Sequence, residues 1–193
     1  MMEFNCSQIF FTSDTHFFHK NIIQYCNRPF KDIEEMNEKL IENWNNVVPY
    51  NGIVFHLGDV SFSGKEKTSS MVSRLNGKIY LVRGNHDGKN INEDLFEWVS
   101  DQMMIKVLGD SEIPEQKIFM HHFPFLTWPE KEQGCWQLFG HTHQNDILNP
   151  YWLNKQSPGQ LNIGLDNNEW RPFTFDEVKI RITKNFLGYD RTI

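Results

Sequence analysis

The chain has few cysteines, and they are poorly placed to act together. Cys6, Cys26 and Cys135 are an odd number, far apart, with no Cys-x-x-Cys pair. That spacing argues against a disulfide framework and against a thiolate zinc site, and it suits reduced thiols in a cytoplasm. Long apolar runs are missing too, so no segment is expected to span a membrane. The N-terminus, MMEFNCSQIFF, has no basic stretch, and its short apolar run soon meets Asp14. It reads as a first β-strand rather than as a secretory signal. Positive charge is not in excess: 19 Lys and Arg stand against 25 Asp and Glu, a formal charge of −6. Tracking along a nucleic acid needs clustered cations, so nucleic acid is a disfavoured partner, although bound divalent ions would add local positive charge. No internal repeat or low-complexity tract occurs.

What is present suits one folded domain over residues 1–193, with 39% hydrophobic and 14% aromatic residues. Short apolar runs alternate with amphipathic stretches, which indicates α/β layering. Strands are expected over residues 8–12, 53–57, 78–83, 102–108, 117–121, 136–139 and 161–165, and helices over 32–46, 65–75 and 91–99. In the first helix Ile33, Met36, Leu40, Ile41 and Trp44 recur at helical spacing, opposite Glu34, Glu35, Glu38 and Glu42. Residues 175–183 fit either type. Asp176 and Glu177 suit a helix start, while Val178, Ile180 and Ile182 alternate like a strand.

Polar clusters follow the strands. They are Asp14 and His16, Gly58 and Asp59, Gly84 to Asp87, His121 and His122, and Gly140 to His143. Ligands of open α/β sheets gather beyond the carboxyl ends of strands, so five such clusters can converge on one site. Imidazole, carboxylate and amide oxygen suit borderline ions such as Mn, Fe, Zn, Co or Ni. Seven such donors exceed one tetrahedral ion. With a bridging carboxylate they fit two ions about 3.5–4 Å apart.

In order, Asp14-x-His16, Gly58-Asp59, Gly84-Asn85-His86-Asp87, His122-Phe-Pro and Gly140-His141-Thr-His143 resemble the five blocks of the calcineurin-like metallophosphoesterase superfamily. The resemblance runs from about residue 9 to 143, and Gly164-Leu-Asp166 with Trp170-Arg-Pro172 is similar to the tail of small bacterial and phage members. It implies a four-layer α-β-β-α sandwich of two mixed β-sheets with flanking helices. It implies two divalent ions, manganese favoured, with Asp14, His16 and His143 on the first, Asn85, His122 and His141 on the second, and Asp59 bridging both. His86 is implied to protonate the leaving oxygen or to hydrogen-bond the phosphate.

The implied activity is hydrolysis of a small phosphate ester by a metal-bridging hydroxide, with a phosphodiester favoured and nucleotides or cyclic nucleotides among the substrates. The Asp and Arg that protein phosphatases of the superfamily carry after Gly-Asp are missing, since Val60, Ser61, Phe62 and Ser63 follow instead. A nuclease is an alternative, with Lys65, Lys67, Lys78, Arg83 and Lys89 as its basic track; a non-catalytic interaction module is another. His19 and Arg28 are candidate phosphate contacts, because an arginine fork matches phosphate oxygens; the alternative is a locally bonded loop and a surface Arg. His56 is expected to be a hydrogen-bonded strand histidine, and Asp87 either orients His86 or caps the turn. Phe123, Phe125 and Trp128 either pack beneath a loop or wall a base pocket, with Trp128 expected to be the most exposed. Pocket shape is left to loops such as 124–134 and 144–160, and no motif specifies an oligomeric state.

Overall fold

The computed structural model describes residues 1–109, 114–143 and 157–189, with side chains to Lys184. Residues 144–156 of the expected loop lie outside the described residues. Ten strands, numbered along the chain, form two five-stranded sheets. The first holds β1 (Met2–Asn5), β6 (Gln102–Leu108), β7 (Gln116–His121), β8 (Trp136–Phe139) and β9 (Gln160–Asn162), side by side in that order. The second holds β10 (Phe173–Thr174), β2 (Ile9–Thr12), β3 (Ile53–His56), β4 (Lys78–Val82) and β5 (Trp98–Ser100). Both are mixed: β6 runs antiparallel to β7 and β10 to β2, and all other pairs are parallel. Helices α1 (Ile22–Tyr25), α2 (Ile33–Val47), α3 (Lys65–Val72) and α4 (Phe175–Tyr189) flank them. This is the sandwich of two mixed sheets that the sequence implies. Among the described residues no helix is long and apolar enough to cross a membrane.

Strand alternation divides the core. Met103, Ile105 and Val107 of β6 face inward and join Phe4, Phe11, Phe55, Ile118 and Leu138 between the sheets. Phe10, Val54, Ile79 and Leu81 point the other way, onto Met36, Leu40, Ile41 and Trp44 of α2. A fully buried side chain of this kind contributes about 1.5–3 kcal/mol. The Asp32 carboxylate caps α2 by accepting from the Glu35 N–H at 2.9 Å. The outer face of the first sheet carries Phe119, covered by Trp128 and Cys135 from the loop after β7.

The structure decides the ambiguous C-terminal segment as a helix. The Glu177 N–H donates to Thr174 Oγ1 at 3.2 Å, and the Thr174 N–H donates to Glu177 Oε2 at 2.9 Å, a reciprocal capping box. Phe175, Val178 and Ile182 are buried at helical spacing, while Ile180 is exposed. The helix expected over 91–99 is corrected. A 3₁₀ turn at Glu93–Leu95 leads into β5, whose Trp98 and Val99 pair with Tyr80 and Leu81. The buried apolar residues there, Ile91 and Phe96, are five apart and share no helical face, and Trp98 and Val99 suit a pleated edge.

Candidate metal centre

The loops after β2, β3, β4, β7 and β8 converge where the sheets end. The Asp14 N–H donates to Gly58 O at 2.9 Å and the His16 N–H to Asp59 O at 3.0 Å, which locks the first two loops together. A Cβ at Gly140 would overlap Ser13 Oγ and Asp14 Oδ2, so only glycine lets that backbone approach. The His141 N–H then donates to the Asp14 carboxylate at 3.0 and 3.1 Å. Five site residues are left-handed: Asp14 (φ 61°), His16 (50°), Asp59 (56°), His141 (67°) and His143 (48°). Asp and His tolerate that region better than most residues, yet each such position costs on the order of 1 kcal/mol and persists only when neighbours fix it.

Two triads result, Asp14 with His16 and His143, and Asp59 with His122 and His141, each with ligand atoms within 4.8 Å of one another. Asp59 Oδ2 lies 3.5 Å from His16 Nε2 and 3.5 Å from His122 Nε2, between the triads. Asn85 Oδ1 stands 3.0 Å from His122 Nε2. The donors fit divalent ions. His122 Nδ1 donates to Leu57 O at 2.6 Å, so in the neutral ring Nε2 is a lone pair facing two further acceptors, Asn85 Oδ1 and Asp59 Oδ2. His16 Nε2 is buried without a hydrogen-bond partner. Acceptors aimed at one another in a buried space call for a cation.

Burial raises the Asp14 carboxyl above its usual range, opposed by His143. Burial, then the His143 charge, holds His16 well below 6.5 and therefore neutral. Burial pushes Asp59 up, but with a proton on His122 the hydrogen bond and charge of that ring lead the opposing effects that hold Asp59 below the usual carboxylate range. Burial works against the charged form of His143, yet its hydrogen bonds to Asp166 and Cys26 and the charges of Asp14 and Asp166 together outweigh that and carry it up to about 10. Protons therefore compete with an ion for His143.

Behind the first triad, His143 Nδ1 donates to Asp166 Oδ2 at 2.7 Å, which turns Nε2 toward Asp14. Asp166 is also held by Arg28, whose Nε donates to Oδ1 at 2.9 Å. Arg28 further donates to Asp14 O at 2.7 Å and Thr15 O at 3.0 Å. Its side chain is fully buried, so the fork considered for phosphate is turned inward to brace the first loop. The alternative of a surface arginine is likewise corrected by that burial. Cys26, with His143 and Asp166, forms a third cluster of donors.

Asp87 accepts from the N–H groups of Asp59 (2.9 Å), Val60 (2.9 Å) and Gly84 (2.7 Å), so it caps the loops rather than orienting His86. His56 accepts from the Gly58 N–H at 3.1 Å and meets Thr15 Oγ1 at 3.0 Å, a buried and satisfied structural histidine. His121 joins neither triad and packs tilted against Phe125, with ring centroids 4.5 Å apart. Trp128 is buried, and Phe123 is the exposed member of that aromatic group. His19 Nδ1 lies 3.3 Å from His16 Nδ1, at the rim. His86 is partly exposed; its N–H donates to Asp59 Oδ1 at 3.0 Å and its Nε2 is 3.9 Å from Asp59 Oδ2. Arg83 is engaged by Glu93 and Asp101, which removes it from the basic track considered for a nuclease.

The role of Asp166 escaped the sequence. The residue lies 138 positions from Arg28, and only its place in the tail motif marked it.

The chain is 34% identical over 179 residues to an uncharacterized protein of Methanocaldococcus jannaschii, covering 92% of each. It is 30% identical over 187 residues to the gene 66 protein of Mycobacterium phage L5, covering 83% of this chain and 87% of that one. The fold is similar to the crystal structure of a protein of unknown function from Aquifex aeolicus, with a TM-score of 0.64 and 23% identity over 89% of this chain and 97% of that one. Residues 7–149 match the model of the calcineurin-like phosphoesterase family. That span starts before Asp14 and ends after His143, so it encloses both triads: the chain belongs to the calcineurin-like phosphoesterase family.

Proposed function

We propose that this chain is a dinuclear metal-dependent phosphoesterase acting on a small phosphate ester, a diester in preference to a monoester. The observation that carries this is the position of Asp59, a buried carboxylate set between two triads of donors. Asp14, His16 and His143 would hold one ion, Asn85, His122 and His141 the other, and Asp59 would be shared between them. When bound, two divalent ions act as Lewis acids on the phosphate oxygens and acidify a water for in-line attack. Donors of this kind, without thiolate, suit manganese among several borderline ions.

The chain's own residues supply the rest. The backbone bond to Asp59 pins His86 beside the shared carboxylate, and its ring is partly exposed there. From there an imidazolium can give a proton to the departing oxygen, a contribution of roughly 10²–10⁴-fold. Burial of Arg28 and the pairing of Arg83 leave neither guanidinium free to take a phosphate. The second negative charge of a monoester is then poorly matched, which supports the diester. Free Cys6, Cys26 and Cys135 suit a reducing cytoplasm.

The test strips the protein of metal, restores Mn²⁺, and compares bis-p-nitrophenyl phosphate with p-nitrophenyl phosphate. Metal-dependent turnover favouring the diester is expected. Absence of bound metal after reconstitution would overturn the proposal.

A further inference from the structure

Single exposed apolar side chains are ordinary on a protein surface. Three of them here gather at the site. Of nine exposed large hydrophobics among the described residues, Tyr25, Phe62 and Phe123 each pack against a site histidine. Phe62 is the most constrained of the three. Its N–H donates to Phe17 O at 2.8 Å, and Ser61 bridges to Phe17, so the backbone that carries the ring is fixed. The ring lies flat on His19, with centroids 4.1 Å apart and planes at 13°. It also stands edge-on to His86 at 5.1 Å. His19 thus backs one part of a ring that is still 47% exposed.

We propose that Phe62, backed by His19, is a stacking platform for a flat heterocycle on the leaving side of the scissile phosphate, so that the substrate is a nucleotide-type ester. This rests on the phosphoesterase reading given above. The leaving side is indicated because Phe62 also stands edge-on to His86, the group proposed above to protonate the leaving oxygen. Phe123 packs on His141 of the other triad and so belongs to the opposite flank. A rigid aromatic face selects a planar ring over an aliphatic group, since every base has a π-face and an aliphatic alcohol has none. A chain with a formal charge of −6 can in this way hold a nucleoside by its base rather than by a run of phosphates.

The experiment measures equilibrium binding of AMP and of ribose 5-phosphate to the Mn²⁺-loaded protein, for the unaltered chain, Phe62→Leu and Phe62→Trp. The two ligands share the phosphate and sugar and differ in the base. The unaltered chain is expected to prefer AMP by about tenfold, the usual scale of one base–aromatic stack. Phe62→Leu, which keeps bulk but loses the π-face, is expected to bring the two within about twofold, and Phe62→Trp to retain the preference. Equal affinities in the unaltered chain, or a preference that survives in Phe62→Leu, would overturn the platform. Failure of the unaltered chain to hydrolyse bis-p-nitrophenyl phosphate with metal bound would count against the phosphoesterase reading instead, and is scored apart from the base preference.

Discussion

His143 Nδ1 and Asp166 Oδ2 lie 2.7 Å apart, a contact that fixes which nitrogen of a candidate metal ligand faces the ion. Asp166→Asn keeps an acceptor in place but removes the charge that favours the donor tautomer. Affinity for the ion on Asp14, His16 and His143 is expected to fall about 10–100-fold, as it does when such supporting partners are lost. Calorimetric metal titration checks this; two undiminished binding steps would contradict it. Asp166→Ala is harsher, because Arg28 is buried and would lose its counter-charge. A loss of about 3–5 kcal/mol is expected in urea denaturation.

Asp59→Asn removes the one charge that both triads share. Occupancy of both positions should drop steeply, read as metal content after dialysis. A variant that still carries two ions per chain would sink the bridging role.

His86→Ala leaves the ligand set intact, since the contact with Asp59 Oδ1 comes from the backbone N–H. Metal content should be unchanged while turnover slows by roughly 10²–10⁴-fold. Loss of both ions would show that the side chain does something else.

His56 gives a prediction about acid. Burial lowers it from 6.5 to about 3 in the folded chain. Below 6.5 the unfolded chain therefore binds the extra proton, and stability falls with pH until about 3. Between pH 7 and pH 5 this one group accounts for roughly 2 kcal/mol. Metal-free protein should lose that much more stability over this interval than His56→Gln does. Parallel losses in the two proteins would exclude the histidine as the cause.

Much of the site could be read from the sequence because each ligand block directly follows an apolar run, and the fold gathers strand ends. That rule locates the five clusters; the choice of Asp14, His16, Asp59, Asn85, His122, His141 and His143 within them comes from the family resemblance. The supporting layer was harder. Arg28 looks like any loop arginine until Asp166, from the far end of the chain, arrives beside it. Residues 91–99 misled for a different reason: Ile91, Leu95 and Val99 are four apart, yet pairing with β4 outweighs that weak stripe. The α4 segment was ambiguous because alternating and helical spacing coincide over so few residues, and the Thr174–Glu177 capping box settles it.

Each triad takes donors from both sheets. Asp14, His16 and Asp59 follow β2 and β3, whereas His122, His141 and His143 follow β7 and β8. An ion in either position would therefore be a staple driven through the sandwich, adding to the apolar packing and to cross-sheet hydrogen bonds such as that from His141 N–H to Asp14. Its binding energy is then also mechanical: the two sheets cannot slide or part at that edge without first releasing it. Thermal stability would then depend on ion concentration, rising by RT ln(1 + [L]/Kd) for each position. A cell that starves the protein of metal would loosen the sandwich at the very end where its loops do their work.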